Sequence, residues 1–179
     1  YIFSPIFGTQ VINMRKLKTD ELNRVSIDEF KNQEKNKIIV ALDDIRSMNN
    51  IGSVFRTSDA FAIEKIILGG ITATPPHRDI HKTAIGAEDS VDWEKAEKLV
   101  DRLIELQKSG YSIFAVEQTE NTIMLQDFQR ENHEKLVVVF GNEVFGVSDD
   151  VLKICDGVIE IPQFGTKHSL NISVSTGVV

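Results

Sequence analysis

Residues Pro162 to Val178 read Pro-Gln-Phe-Gly-Thr-Lys-His-Ser-Leu-Asn-Ile-Ser-Val-Ser-Thr-Gly-Val, a loop crowded with hydrogen-bonding groups that runs directly into a helix of small residues. The preceding Val158 to Ile161 reads as a short strand. The loop therefore leaves a strand's carboxyl end, where open α/β sheets place their ligands. Two further segments have the same form. Strand-like Leu136 to Phe140 feeds Gly-Asn-Glu-Val-Phe-Gly at 141–146, and strand-like Ile38 to Leu42 feeds a stretch running from Asp43 to Arg56. Three such loops are expected to converge on one pocket.

Working outward, the pattern alternates. It predicts a strand at 38–42, a helix at about 51–62, a strand at 65–68, a polar loop through Pro75 and Pro76, and a helix at about 92–109. Strands at 111–116, 136–140 and 158–161 follow, with helices at about 148–155 and from about 170. Strands alternating with helices imply an α/β fold with a mainly parallel sheet covered on both faces. An N-terminal helical section is expected over residues 1–37, ahead of a sheet domain over 38–179. In that section Ser26-Ile27-Asp28-Glu29 has capping-box spacing, and Leu17, Leu22, Val25 and Phe30 form an apolar stripe. The loop from Gly69 to His77 reads as the most flexible connection, an ordinary surface loop before a substrate-facing lid.

Composition bounds the function. A chain of 179 residues that is 41% hydrophobic can build one domain with a full core. No apolar run approaches the ~20 residues needed to span a bilayer, and no basic-then-apolar leader is read, so a cytoplasmic protein without membrane association is expected. The single cysteine, Cys155, lies in an apolar run and reads as a buried structural thiol in a reducing compartment. A net charge of −7 repels nucleic acid on average, although Arg15, Lys16 and Lys18, and again Arg78, Lys82 and Lys167, gather locally.

Familiar signatures are missing. There is no G-x-G-x-x-G after the first strand, no G-x-x-x-x-G-K-[ST] and no G-x-S-x-G, which disfavours a standard dinucleotide site, a P-loop and a nucleophile elbow. His77 and His81 stand four apart without the Glu of H-E-x-x-H, so they read as solvated loop histidines and no metal is expected. What remains is glycine-lined loops rich in amide, hydroxyl and guanidinium groups, able to grip an adenosine-like molecule through backbone atoms. Asn50 and Arg56 stand in N-x-G-x-x-x-R spacing, with Asn50 a natural N-cap and Arg56 in the second turn, facing a phosphate or ribose or else a surface salt bridge. Glu143 reads as a cap or dipole partner for the helix starting near Ser148, and Ser169 and Asn171 as caps of the terminal helix.

Taken together, the three segments resemble the signature motifs of the SpoU (TrmH-like) RNA ribose methyltransferases. Asn50 to Arg56 is similar to the first motif, Phe140 to Gly146 to the second, and Ile161-Pro162 through Ser169 to Ser175 to the third, in order, within a match spanning about residues 38 to 179.

The resemblance implies the SPOUT fold, in which the C-terminal part of the chain threads a loop to make a deep trefoil knot. It implies S-adenosylmethionine bound by the knot loops, tRNA or rRNA as substrate, and a homodimer with the active site near the subunit interface. It places cofactor contacts on Gly141, Glu143, Ile161, Gln163, Ser169, Leu170 and Asn171, and catalysis or ribose placement on Asn50, Arg56, Glu143, Ser169 and Asn171. The family is metal-free and continues past the third motif into an interfacial helix, which this sequence enters before Val179. A guanidinium stays protonated to very high pH, so Arg56 is expected to orient the hydroxyl and phosphate rather than remove a proton. Two other classes compete: a non-catalytic RNA-binding or assembly module that keeps the fold, and a generic α/β enzyme acting on a small nucleotide.

Overall fold

The structure, a computed structural model, describes residues 14–179. The part of the expected N-terminal helical section before residue 14 lies outside the described residues. Seven strands form one parallel sheet: β1 (Asn36–Asp43), β2 (Ile63–Gly69), β3 (Trp93–Ala96), β4 (Ser112–Val116), β5 (Ile123–Met124), β6 (Leu136–Phe140) and β7 (Gly157–Glu160). They lie in the order β3-β2-β1-β6-β4-β7-β5. The helices are α1 (Ile27–Asn32), α2 (Met48–Ala60), α3 (Arg78–Ala84), α4 (Ala87–Ser90), α5 (Leu99–Lys108), α6 (Asp149–Leu152) and α7 (Ile172–Val178).

The strands alternate between two cores, as pleated backbone requires. Val40, Leu42, Ile66, Leu68, Phe114, Val138 and Phe140 face the side covered by α2, α3, α4 and α7, where Phe55, Val54, Ile51 and Ile80 pack. Ile39, Ala41, Ile67, Ile113, Val137 and Val139 face Leu99, Leu103, Leu106 and Val151 of α5 and α6. Burial on both faces explains why β6 reads as an unbroken Leu-Val-Val-Val-Phe, since each position has a core to fill. Register then fixes the site. Leu42 pairs with Phe140, Phe140 with Val116 and Val116 with Ile159, so the carboxyl ends of β1, β6, β4 and β7 are level.

Several expectations need correction. The helix placed at 51–62 begins at Met48, and its cap is Ser47 rather than Asn50, because the Ser47 hydroxyl accepts from the Asn50 amide at 3.3 Å. The expected helix at 92–109 opens as a strand: Trp93 to Ala96 pair with Ile66 to Gly69 along a sheet edge, and the helix starts only at Leu99. The polar region after Pro76 contains α3 and α4. His77, in the loop, caps α3 through Nδ1, 3.2 Å from the Asp79 amide, while solvent-facing His81 lies within α3 and bonds Glu88 at 2.5 Å, so His81 is a helix residue and not a loop histidine. The helix expected at 148–155 is only four residues long, and two-residue β5 was not foreseen.

The N-terminal section is a 3-10 turn and a six-residue helix among the described residues. Its Ser26/Glu29 capping box forms, but of the expected stripe only Phe30 is buried, while Leu17, Leu22 and Val25 are exposed. Leu17, Leu22 and Val25 precede that short helix, so it does not carry them onto the sheet. The loop after β2 is pinned rather than free. Buried Thr72 accepts from the Ile45 amide at 2.9 Å, Asp44 Oδ1 accepts from the Ile71 amide at 2.8 Å, and Lys95 donates to the Thr72 carbonyl at 2.8 Å. Cys155 is partly buried, and burial, reinforced by Asp156, pushes its thiol up to about 11, far from a reactive thiolate.

Helices α2 and α3 touch at Gly52, where an added Cβ would collide with the Ile80 carbonyl and the Thr83 hydroxyl. Alanine improves helix propensity by ~0.8–1 kcal/mol, but overpacking costs ~1–3 kcal/mol, so the clash wins. Gly52→Ala is expected to lower stability by about 1 kcal/mol or more, read as an earlier denaturation midpoint.

Candidate active site

The turn after β6 is built around Asn142. This buried side chain donates to the Asp44 carbonyl at 2.6 Å and accepts from the Val144 and Phe145 amides at 2.9 and 3.2 Å. Its backbone exchanges two 2.9 Å bonds with Gly146, whose φ of 70° needs glycine. Gly141 is equally constrained, since a Cβ there would meet the backbone of Gly146 and Val147.

Carboxylates then tie the neighbouring loops together. Glu143 does not serve the helix that follows it, as its sequence position suggested. It reaches to the start of α2, where Oε2 accepts from the Arg46 amide and Oε1 from the Ser47 amide, both at 3.1 Å. The Asn50 side chain donates to the same Oε1 at 3.1 Å. Asp43 at the end of β1 takes the role expected of Glu143, accepting from the Ser148 amide at 2.8 Å ahead of α6. Glu117, just past β4, accepts from Val147 at 3.1 Å. Backbone amides at helix starts lack intrahelical partners and favour negative charge, which is why carboxylates sit there.

Asn171 caps α7, accepting from the Ser173 amide at 2.9 Å, as expected. Its amide also donates to Asn50 Oδ1 at 3.1 Å. A chain of contacts, Glu143 to Asn50 to Asn171, thus links the three motif segments at one point.

Beside it lies a cavity of 430 Å³. Gly141, Glu143, Ile161, Gln163, Ser169, Leu170 and Asn171, the seven residues expected to hold a cofactor, all line it. Asn50 touches two of these wall residues but is not in the wall itself. Arg56, two turns along α2, is exposed, outside the wall, and in no ion pair among the described residues. The sequence reading missed Glu117, Gln118 and Asn142, which also line the cavity. Position after a strand would have signalled Glu117 only once β4 was known to flank β6. Among the described residues the wall carries the carboxylates Glu117 and Glu143 and the His168 imidazole, with no Lys or Arg. Such a site suits a neutral or cationic polar ligand and disfavours a polyphosphate.

Burial pushes the Glu143 carboxyl up, but hydrogen bonds from the Arg46 backbone, its own amide, the Asn50 side chain and the Ser47 backbone outweigh this and hold it below the ordinary carboxylate value. A lowered folded pKa gives stability that is present above the unfolded value of ~4.3 and lost as pH falls through the folded value. Because Glu143 is solvent-exposed, Glu143→Ala is expected to cost only about 0.5–1 kcal/mol at neutral pH. The difference from wild type should shrink toward zero in acid, as denaturation at pH 7 and below pH 4 will read.

Comparison with known proteins agrees with this geometry. Residues 37–179 match the SpoU rRNA Methylase family. The tRNA (guanosine(18)-2'-O)-methyltransferase of Aquifex aeolicus is 30% identical over 79% of this chain and 66% of its own length. The 23S rRNA (guanosine-2'-O-)-methyltransferase RlmB of Vibrio parahaemolyticus is 27% identical over 88% of this chain and 63% of its own. The chain thus spans a little under two thirds of these relatives. Among solved structures, the A. aeolicus TrmH/SpoU tRNA modifying enzyme superposes with a TM-score of 0.75 at 26% identity, covering 85% of this chain and 76% of that one. The AdoMet-bound rRNA methyltransferase from Sinorhizobium meliloti gives 0.74 at 25% identity, covering 81% and 54%. A profile match across the sheet and all three loops, on a chain whose fold superposes on solved members, leaves one assignment: this chain belongs to the SpoU rRNA Methylase family.

Proposed function

We propose that this chain is an S-adenosylmethionine-dependent methyltransferase acting on a ribose 2'-hydroxyl of tRNA or rRNA. The observation that carries the reading is the cavity at the ends of β4, β6 and β7, walled among the described residues by two carboxylates and one imidazole, His168, with no lysine or arginine, in a chain of this family. A sulfonium cation fits that wall, whereas a small phosphorylated nucleotide does not. The names of the relatives and the bound cofactor of the S. meliloti enzyme support the same ligand and substrate class.

When bound, the cofactor would supply an activated methyl whose transfer to the ribose 2'-hydroxyl releases a neutral thioether and a proton, which passes to solvent, so the chemistry needs no metal. The protein's part is alignment. Ser169 and Gln163 offer hydrogen-bonding groups at the wall, and Asn171 is held rigid by its bonds to Ser173 and Asn50. Glu143 keeps the α2 start against the second motif, which fixes where Asn50 sits. Arg56 orients substrate hydroxyl and phosphate when RNA, or a second copy of the chain, brings the reacting ribose toward its exposed guanidinium.

We further read the connections as a trefoil knot. Strand β7 lies between β4 and β5, which precede it in sequence, and Gln118 in the β4–β5 connection donates to the His168 carbonyl at 3.1 Å, in support of the segment after β7 passing through that connection. A homodimer fits the exposed Val174 and Val178, one turn apart on α7. A cytoplasmic location fits the free Cys155.

Calorimetry is expected to find S-adenosylhomocysteine bound at one site per chain; a folded protein that takes none would sink this reading. Arg56→Ala is expected to leave that affinity and the melting temperature unchanged while kcat on RNA falls about a hundredfold or more. The pH profile should keep its shape, since a guanidinium does not titrate. Full activity would remove Arg56 from the reaction.

A further inference from the structure

The turn after β6 carries an aromatic ring that neither the core nor the cavity uses. Phe145 is 78% exposed and is absent from the cavity wall, although its neighbours Val144 and Gly146 belong to it. Its backbone is nevertheless fixed: its amide is bonded to Asn142 Oδ1, and the turn is closed by the paired bonds between Asn142 and Gly146. An apolar ring is thus held out in water by a rigid turn at the cavity's lip.

A cation stands over it. The Arg46 guanidinium lies 5.8 Å from the Phe145 ring centroid, and the Arg46 amide is bonded to Glu143 Oε2. The backbones of Phe145 and Arg46 are therefore held by the same second-motif turn, Phe145 from within it and Arg46 through Glu143, which brings the guanidinium within reach of the ring. A cation over an aromatic face at an exposed site adds ~0.5–1 kcal/mol, too little to explain keeping both in solvent. The pair offers a planar π-face and a phosphate-seeking fork within one short span. Those two chemistries meet in a nucleotide of single-stranded RNA, whose unstacked bases settle on aromatic side chains and guanidinium planes.

We infer that Phe145 and Arg46 form a stacking platform for an unpaired nucleobase of the RNA, next to the ribose that receives the methyl group. The inference rests on the RNA reading above. It gives an acidic chain a local way to hold RNA, by stacking and one guanidinium instead of a broad basic face.

The test uses the full chain, RNA from cells lacking the protein as substrate, and a single-stranded oligoribonucleotide bearing 2-aminopurine as a stacking reporter. Phe145→Ala is expected to raise KM for RNA about tenfold or more, with kcat within about twofold. Its affinity for S-adenosylhomocysteine should match wild type, because the ring is outside the wall. Phe145→Trp should restore KM and the fluorescence quench, whereas Phe145→Leu, apolar but without a π-face, should not. Arg46→Ala should raise KM and flatten the salt dependence of binding. An unchanged KM in Phe145→Ala overturns the platform while leaving the methyltransferase reading intact, and so does equal rescue by Leu. A loss of dimer in gel filtration with Phe145→Ala also overturns it, assigning the ring to a contact between copies. Wild-type protein that binds the cofactor product but neither binds nor methylates RNA overturns the RNA reading, and the platform with it.

Discussion

The site depends on one carboxylate placed across a gap between loops. Glu143 leaves the turn after β6 and collects two backbone amides and one side-chain amide from the start of α2. Each bond is modest, on the order of 1 kcal/mol net, yet they act on a helix end that has no intrahelical partners for those groups. With that link made, Asn50 stands where it can meet Asn171, and the terminal helix is tied to the first motif. The wall of the cavity is therefore not three independent loops. Its loops are joined by one hydrogen-bonded chain whose parts come from positions about a hundred residues apart.

Parallel strands with level carboxyl ends make this chain of contacts possible. The in-register pairing of β1, β6, β4 and β7 brings Asp43, Gly141, Glu117 and Ile161 to one edge. Short carboxylate side chains then span the few ångströms between neighbouring exits. Asp43 reaches the start of α6 and Glu117 reaches Val147 in the same way as Glu143 reaches α2. A wall that satisfies its own amides with carboxylates has no need of lysine or arginine, and its negative character follows from its construction.

Much of this was legible in the chain. The strands β1, β2, β4 and β6 announce themselves by apolar runs, because most of each is buried, and β7 by Val158 and Ile159 between turn residues. The loops after them stand out by their glycines and amides, and the seven cavity residues named from the third and second motifs do line one cavity. Edge elements were harder to read. Trp93 to Ala96 reads Trp-Glu-Lys-Ala, with two adjacent charges and no strand-like alternation, and adjoins a helix-forming run, so only its pairing with β2 reveals a strand. The reach of Glu143 was also hidden, since a carboxylate six residues before the first residue of a helix looks like that helix's partner until the register of β1 against β6 is known. Glu117 and Gln118 were invisible for the same reason: nothing local tells a chain that β4 will flank β6.

Strand order carries a further consequence for how the molecule comes into being. β6 enters between β1 and β4, and β7 enters between β4 and β5, so two interior strands are the later-made ones. Among the described residues β5 has no partner but β7. A nascent chain emerging from the ribosome can pair β1 with β2 at once, but β4 and β5 must wait with open edges until residues 157–160 have been synthesised. Such waiting edges are sites for misassembly, and pairings of long sequence separation form slowly. The ligand cavity, walled by the residues that follow β7, is complete only when almost the whole of this sequence has been translated.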